Sequence, residues 1–118
     1  MKRKNSYYKG VWAEKYAECL LRLKGYAILE RRYKTPFGEI DLLARKGNAL
    51  VCVEVKYRPT QDEALEAVDP RSQKRITAAA EFFRAHHPHY QDNDVRFDIL
   101  TVVSIFGVRH HKNAWYAA

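Results

Sequence analysis

Residues 38–57 read GEIDLLARKGNALVCVEVKY, two runs of strand-forming residues on either side of a short polar segment. The runs at 38–44 and 49–57 are rich in Ile, Leu and Val, and the segment between them contains Gly47 and Asn48. Gly and Asn tolerate the backbone conformations that a two-residue hairpin turn needs. The pattern therefore predicts a β-hairpin.

Pairing across this hairpin is expected to bring charged residues together. With the Gly-Asn pair at the centre of the turn, antiparallel pairing sets Asp41 opposite Glu54. Two residues further from the turn, Glu39 faces Lys56. Because side chains alternate along a strand, all four project from one face, with opposed Cβ atoms about 4.5–5.5 Å apart. Three carboxylates and one ammonium group are expected at one end of the hairpin.

The opposite face of the hairpin is predicted to be wholly apolar and must be covered by other elements. Its residues are Ile40, Leu42, Ala44, Val51, Val53 and Val55. Towards the turn, the charged face becomes apolar too, with Leu43, Leu50 and Cys52. The charges are therefore expected at a partly covered cleft, where like charges destabilise the fold unless a cation compensates them.

The charged end of the hairpin has the composition of a metal site. Mg²⁺ and Mn²⁺ prefer carboxylate oxygens, so Asp41 and Glu54 are candidate ligands. Lys56 is a candidate catalytic cation that activates a water or stabilises charge on phosphate oxygens. An ordinary surface salt-bridge network is the alternative interpretation. The apolar surroundings favour the metal site, since exposed ion pairs do not need burial among Val, Ile and Leu.

Hydrophobic periodicity predicts two long helices and further strands around the hairpin. Asp69 followed by Pro70 is typical of a helix start, as N-cap and first helical residue. The predicted elements are a helix over 8–24, a strand over 26–30, the hairpin, a helix from Pro70 to about residue 86, a strand over 95–105 and a last strand after Gly107. This order indicates a mixed α/β fold, with residues 1–118 forming one domain.

The charge balance favours a polyanion as partner. Lysine and arginine number 21 against 14 acidic residues, a formal net charge of +7. Nucleic acid is the leading candidate, although many basic proteins bind none. No stretch approaches the ~18 consecutive apolar residues of a membrane span. Cys19 and Cys52 are expected to be buried free thiols, and the protein is expected to be cytoplasmic.

Two segments resemble the signature of a known family. Residues 38–43 (GEIDLL) and 53–58 (VEVKYR) resemble the GEIDL and VEVKxR motifs of the YraN family of uncharacterised bacterial proteins. That family is similar to the PD-(D/E)XK nuclease superfamily, especially archaeal Holliday-junction resolvases. Further matches are Gly10, Glu14, Ala17, Gly25-Tyr26 and Arg96-Phe97-Asp98. The resemblance covers nearly the whole chain.

The resemblance implies a restriction-endonuclease-like fold, with a mixed central β-sheet flanked by helices. It also implies Mg²⁺ or Mn²⁺ at Asp41, Glu54 and Lys56, with Glu14 of the first helix as a further catalytic and metal-binding acid. From the residues alone, Glu14 would be a solvated helix glutamate beside Lys15.

Candidate nucleic-acid contacts lie around the charged end of the hairpin and on the second long helix. They are Arg31, Arg32, Lys34, Arg58, Gln73, Lys74 and Arg75. A charged outer helix face is the commoner explanation for such a cluster. The sequence also departs from the family pattern, because Ser72 stands where a lysine is expected.

These features predict a metal-dependent endonuclease that hydrolyses phosphodiester bonds in structured or branched DNA. The alternative is a nucleic-acid-binding protein on a nuclease fold with little or no catalytic activity. A third interpretation is an assembly module whose charged cluster is structural. Enzymes that cut branched DNA are commonly symmetric, so a homodimer is one expected assembly, although no residue defines an interface.

Overall fold

The computed structural model describes residues 2–117, with side chains from Gly10 onward. Its elements are α1 (Lys2–Leu23), β1 (Ala27–Lys34), β2 (Glu39–Lys46), β3 (Ala49–Tyr57), α2 (Gln61–Glu66), α3 (Pro70–His86), a 3₁₀ turn (Pro88–Tyr90), β4 (Asp94–Val102) and β5 (Val108–Trp115). The strands form one sheet in the order β1-β2-β3-β4-β5. Only β3 and β4 run parallel within it. This mixed sheet flanked by helices confirms the predicted α/β class and is compatible with a restriction-endonuclease-like fold.

The start of α3 confirms the capping signal in the sequence. The Asp69 carboxylate accepts a hydrogen bond from Ser72 N at 2.8 Å, and Pro70 opens the first turn. The short helix α2 was not predicted, because six residues are too few to show a helical period. Its start is nevertheless capped, since the Thr60 hydroxyl accepts from Glu63 N at 3.1 Å.

The sheet separates two apolar clusters, one under each long helix. On the α1 side, Ala13, Ala17 and Leu21 pack against alternate residues of the strands. On the α3 side, Ile76 and Phe83 take the same role. The fully buried Ala13 and Ala17 let the α1 backbone approach the sheet closely, so the neighbouring side chains of Glu14 and Glu18 reach β1.

The hairpin of β2 and β3 follows the predicted register close to the turn. The pairs run from Lys46 opposite Ala49 to Leu42 opposite Val53. The ladder then ends, so the predicted pairing of Asp41 with Glu54 is wrong, and so is that of Glu39 with Lys56. The physical reason lies in a side chain: Val55 N donates to Asp41 Oδ2 at 2.9 Å, instead of to a backbone carbonyl of β2.

The predicted division of β2 between two faces is also wrong at one position. Ile40 belongs to the α3-side cluster together with Leu43, whereas Leu42 belongs to the α1-side cluster. Strict alternation would put Ile40 and Leu42 on one face. In the neighbouring strand Arg32 has φ +48°, a left-handed conformation that is uncommon outside glycine. Both strands are therefore kinked at the level of Asp41.

The strand β1 is longer than predicted, since it continues to Lys34 and contains the basic residues that were expected to follow it. One cysteine also differs from expectation. Cys52 is buried, and burial raises the pKa of its thiol, but Cys19 is exposed. Cys19 lies between Ala17 and Leu21 in sequence, on the part of α1 that turns away from the sheet.

The longest described helix is α1, with 22 residues. Its sequence contains polar and charged residues along its whole length, among them Glu14 and Glu18. Within residues 2–117, no helix combines the length and the apolar character that crossing a membrane requires.

Candidate active site

The candidate site lies where β2 and β3 separate. Asp41 sits at the point of divergence, and its hydrogen bond from Val55 N fixes the carboxylate between the two strands. A carboxylate held by backbone needs no flexible partner to stay in place. The local fold therefore aims one acid into the gap that opens beyond it.

Glu54 is the second acid at this gap, and only 9% of its surface is exposed to solvent. Burial raises the pKa of Glu54 well above the usual 4.5, and the adjacent Asp41 carboxyl, by hydrogen bonding and by its charge, adds to the rise. Lys56 opposes this shift, with Nζ 4.0 Å from Glu54 Oε2. Two carboxyl groups in contact cannot both ionise easily, which is why Glu54 tends to keep its proton beside Asp41.

The donor set suits a hard divalent cation. A divalent cation bound between Asp41 and Glu54 would relieve the repulsion between the two carboxylates, and Mg²⁺ commonly binds through one or two carboxylates and several waters. Among the side chains described from residue 10 onward, no group of three or more His, Cys, Asp or Glu residues is arranged to hold a metal ion. The fit therefore rests on two protein ligands.

The structure brings Glu14 to the same cleft but gives it another partner. Glu14 and Asp41 line the same cavity beside α1. The Glu14 carboxylate is paired with Arg32, with Nη2 to Oε2 at 2.9 Å and Nε to Oε1 at 3.3 Å. The left-handed backbone at Arg32 turns this arginine towards α1. The role of Glu14 as a metal ligand remains a prediction.

The acid pair is reached from both sides of the sheet. On the α3 side, Glu54 lines a cavity of about 580 Å³. On the α1 side, Asp41 and Lys56 line a cavity of about 820 Å³. The gap between the separated strands therefore borders a cavity on each face of the sheet.

Three of the predicted nucleic-acid contacts line these cavities. Lys34 and Arg75 stand at the α3-side cavity with Glu54. Arg58 stands at the α1-side cavity with Asp41, and its guanidinium donates to Tyr57 O at 2.8 Å. These cations are placed where a phosphate beside the acid pair would meet them.

The other predicted contacts lie outside these two cavities, although Arg31 and Arg32 line a further cavity with Glu14 and Asp41. Arg31 is paired with Glu18 of α1, with Nη2 to Oε2 at 2.8 Å. Gln73 donates to Val68 O at 3.1 Å, which ties α3 to the segment before it. Lys74 is exposed on α3. A contact of these residues or of Arg32 with nucleic acid remains a prediction.

A glycine of the GEIDL segment holds α3 against the site. A Cβ on Gly38 would stand 2.4 Å from Arg75 O, so only glycine allows the β1–β2 turn to pack directly on the α3 backbone. The turn itself is closed by Thr35, whose hydroxyl accepts from Gly38 N at 3.0 Å. This close approach sets Arg75 at the α3-side cavity.

Sequence reasoning missed a second, buried ionic cluster. Asp98 is fully buried on β4 and accepts from Arg96 at 2.8 and 2.9 Å, from His110 Nε2 at 2.7 Å and from Asn113 N at 3.1 Å. Burial raises the pKa of Asp98, but the hydrogen bonds from His110 and Arg96 outweigh it and hold that pKa below 3.8. The family motif marked Arg96 and Asp98, whereas His110, one strand further on, carried no signal.

Glu54→Gln should stabilise the protein without divalent metal. A folded-state pKa above the unfolded one means that Glu54 stabilises the fold fully only below pH 4.5. That contribution is lost as pH rises through the folded pKa. Glutamine removes the effect, so in EDTA at pH 8 we expect a free energy of unfolding higher by about 1–2 kcal/mol, measured by urea denaturation. Glu66→Gln, at an exposed position, is the matched control. Equal or lower stability of Glu54→Gln would contradict this reading of the pair.

Known proteins resemble this chain over most of its length. Residues 13–102 match the model of a family described as uncharacterised protein family UPF0102. A UPF0102 protein of Parvibaculum lavamentivorans is 48% identical over 110 residues, covering 93% of this chain and 83% of its own. One of Chelativorans sp. is 44% identical over 117 residues, covering 99% and 94%. One of Bartonella tribocorum is 50% identical over 101 residues, covering 86% and 78%.

Proposed function

The chain belongs to the uncharacterised protein family UPF0102, and we propose that it is a metal-dependent endonuclease that hydrolyses phosphodiester bonds in structured or branched DNA. The observation that carries this proposal is the contact of the Asp41 and Glu54 carboxyl groups beside Lys56, at the open end of the hairpin. The family name itself assigns no activity.

Nucleic-acid binding alone does not explain why the carboxyl groups of Asp41 and Glu54 lie in contact. Carboxylates repel the phosphates that a protein with net charge +7 is expected to attract. Burying two of them in contact also costs stability. Sites that destabilise the fold in this way are typical of catalytic centres, where strained groups serve the reaction.

Under this proposal, each residue of the cleft has a separate role in the reaction. Asp41 and Glu54 would hold Mg²⁺ or Mn²⁺, which when bound supplies Lewis-acid chemistry at the phosphate. Lys56 is placed to orient an attacking water or to stabilise the negative charge that develops on the phosphate oxygens. Val55 N keeps the Asp41 carboxylate in place during these steps. Glu14 stands at the rim, where Arg32 holds its carboxylate.

Basic residues on both sides of the sheet support DNA as the substrate. Lys34 and Arg75 on one side and Arg58 on the other flank the acid pair and would contact phosphates on either side of the cut. We place the activity in the cytoplasm, with a homodimer as the assembly that would match a two-fold symmetric DNA junction.

One observation favours the alternative of a nucleic-acid-binding protein with little or no catalytic activity. Glu14 is engaged by Arg32, which leaves two carboxylates rather than three for a cation among the described side chains. Fewer charged ligands lower the affinity of a site for a divalent ion. Under this alternative, the basic flanks bind DNA and the acid pair is inert.

A cleavage assay distinguishes the endonuclease from the binding protein. The purified protein is incubated with a four-way junction, single-stranded DNA and duplex DNA. Each substrate is given Mg²⁺, Mn²⁺ or EDTA, and products are resolved on denaturing gels. We expect cleavage only with a divalent metal, and binding that weakens steeply with salt. Binding that is indifferent to metal, with no cleavage of any substrate, would replace the enzyme with the alternative.

A further inference from the structure

An exposed tryptophan stands beside the α1-side cavity. Trp12 is 39% exposed, two residues before Glu14 on α1. Its ring stacks on Tyr16, with centroids 5.3 Å apart, and makes a T-shaped contact with Tyr57, with centroids 6.0 Å apart. Tyr57 follows Lys56 in sequence and lines the cavity with it. The aromatic pair, Trp12 and Tyr57, thus borders the candidate active site.

Trp115, the second tryptophan of the chain, is packed in the core and serves as a comparison for Trp12. Trp115 is only 9% exposed, stacks on Phe97 at 5.1 Å and donates Nε1–H to Thr77 Oγ1 at 3.1 Å. Trp12 lies at an open surface instead, although its aromatic neighbours cover part of it. Burial in the core, the usual position of a tryptophan, therefore does not describe Trp12, part of whose ring is open to a ligand.

A glycine on α1, Gly10, is a second and independent indication that the α1-side cavity admits a ligand. It lies within α1 and lines the α1-side cavity. A Cβ added there would meet no heavy atom within 4 Å among the described residues, so packing does not require a glycine. Glycine is a poor helix former, and a small residue is useful where a ligand approaches the backbone.

We propose that this cavity takes an unpaired nucleotide, whose base stacks on the aromatic pair while its phosphate lies by Arg58. The proposal rests on the proposed function and specifies its substrate as DNA with a single-stranded stretch at the cleft. Stacking on aromatic rings is open to every base, but only to bases that are not held in a duplex. Tyr57 lines the cavity and Trp12 contacts Tyr57, so the two supply the aromatic rings of such a site; the exposed Arg58 supplies its cation, next to Asp41 and Lys56.

Tryptophan fluorescence tests the stacking directly, since Trp12 and Trp115 are the two tryptophans of the chain. Oligo(dT) of about 20 nucleotides is titrated in EDTA, where no metal supports cleavage. We expect strong quenching of the wild type and little quenching of Trp12→Phe, whose remaining indole is buried. Equal quenching of both proteins, or none of the wild type, would overturn the proposal.

Affinity for a labelled oligo(dT) gives the second measurement. We expect Trp12→Ala to weaken binding about 10-fold, the size of one lost base stack, and to change duplex binding less than about twofold. Gly10→Ala should weaken oligo(dT) binding without lowering the thermal midpoint. Tyr116→Ala, 79% exposed at the other end of the sheet, is the matched control and should bind like wild type. An equal loss for duplex and single strands in Trp12→Ala, or unchanged affinity in both variants, would contradict the proposal.

The outcomes separate this inference from the proposed function. Quenching of Trp12 together with no cleavage in Mg²⁺ or Mn²⁺ would reject the nuclease and keep the unpaired-nucleotide site. Cleavage with no quenching would keep the nuclease and reject the aromatic site.

Discussion

Asp41→Asn is expected to lower the rate of DNA cleavage by about 10³-fold, because a cation-binding carboxylate at a phosphoryl centre contributes several kcal/mol of transition-state stabilisation. The substitution keeps the shape of the side chain and an oxygen that can accept from Val55 N, so the divergence of β2 and β3 should persist. Removing the Asp41 charge also removes one cause of the raised pKa of Glu54. Cleavage of a labelled four-way junction under single-turnover conditions measures the effect.

Binding separates loss of chemistry from loss of structure in this variant. In EDTA, Asp41→Asn should bind DNA at least as tightly as wild type, since one charge that repels phosphate is gone. Asp62→Asn removes a charge from an exposed position on α2 and should leave both cleavage and binding unchanged. Wild-type cleavage by Asp41→Asn would place the chemistry elsewhere in the chain.

The sequence predicted the hairpin and the pairing near its turn because the Gly47-Asn48 turn and the alternation of apolar residues are local signals. It did not predict where the ladder stops. That point depends on Asp41 taking the N–H of Val55 and on the left-handed backbone of Arg32, in another strand. The kink at which the two acids meet therefore depends in part on β1, a segment outside the hairpin that carries them.

The surroundings of the site were predictable only in part, for the same physical reason. Lys34 was expected near the acids and Arg75 was expected as a phosphate contact on the second long helix, and both line a cavity with Glu54. Their position depends on Gly38 letting the β1–β2 turn touch α3, a contact between distant segments. The partner of Glu14 is Arg32, and no spacing in the sequence joins them.

The buried carboxylate of Asp98 joins three parts of the fold that the sequence does not connect. Arg96 also donates to the Tyr26 hydroxyl at 2.5 Å, just beyond the end of α1. Lys24 Nζ lies 3.0 Å from His110 Nδ1. Since an ammonium group can only donate, Nδ1 accepts and Nε2–H donates to Asp98. Asp98 therefore anchors the end of α1, whose other residues form one wall of the candidate active site, to β4 and β5.

Asp98→Asn is expected to lower the free energy of unfolding by about 3–5 kcal/mol at pH 7, since it leaves Arg96 without its buried counter-charge and turns an amide N–H₂ towards donors. The folded-state pKa of Asp98 lies below 3.8, so its stabilising contribution is complete above that pH and is lost as pH falls through the folded value. Urea denaturation should therefore give a difference from wild type that is constant at neutral pH and shrinks below about pH 4.

Two comparisons test whether the lower free energy of unfolding of Asp98→Asn comes from the buried ionic cluster. Asp94→Asn, at an exposed position on the same strand, should change stability by less than about 0.5 kcal/mol. His110→Ala combined with Asp98→Asn should cost less than the sum of the two single changes, because both weaken or remove the hydrogen bond that joins these two side chains. Strict additivity, or a difference that persists unchanged at pH 3, would mean that Asp98 stabilises the fold by packing rather than by its charge. A charged Asp98 instead adds an ion cluster outside the cleft to the apolar packing that keeps α1 over the separated strands, because the cluster joins the end of α1 to β4 and β5.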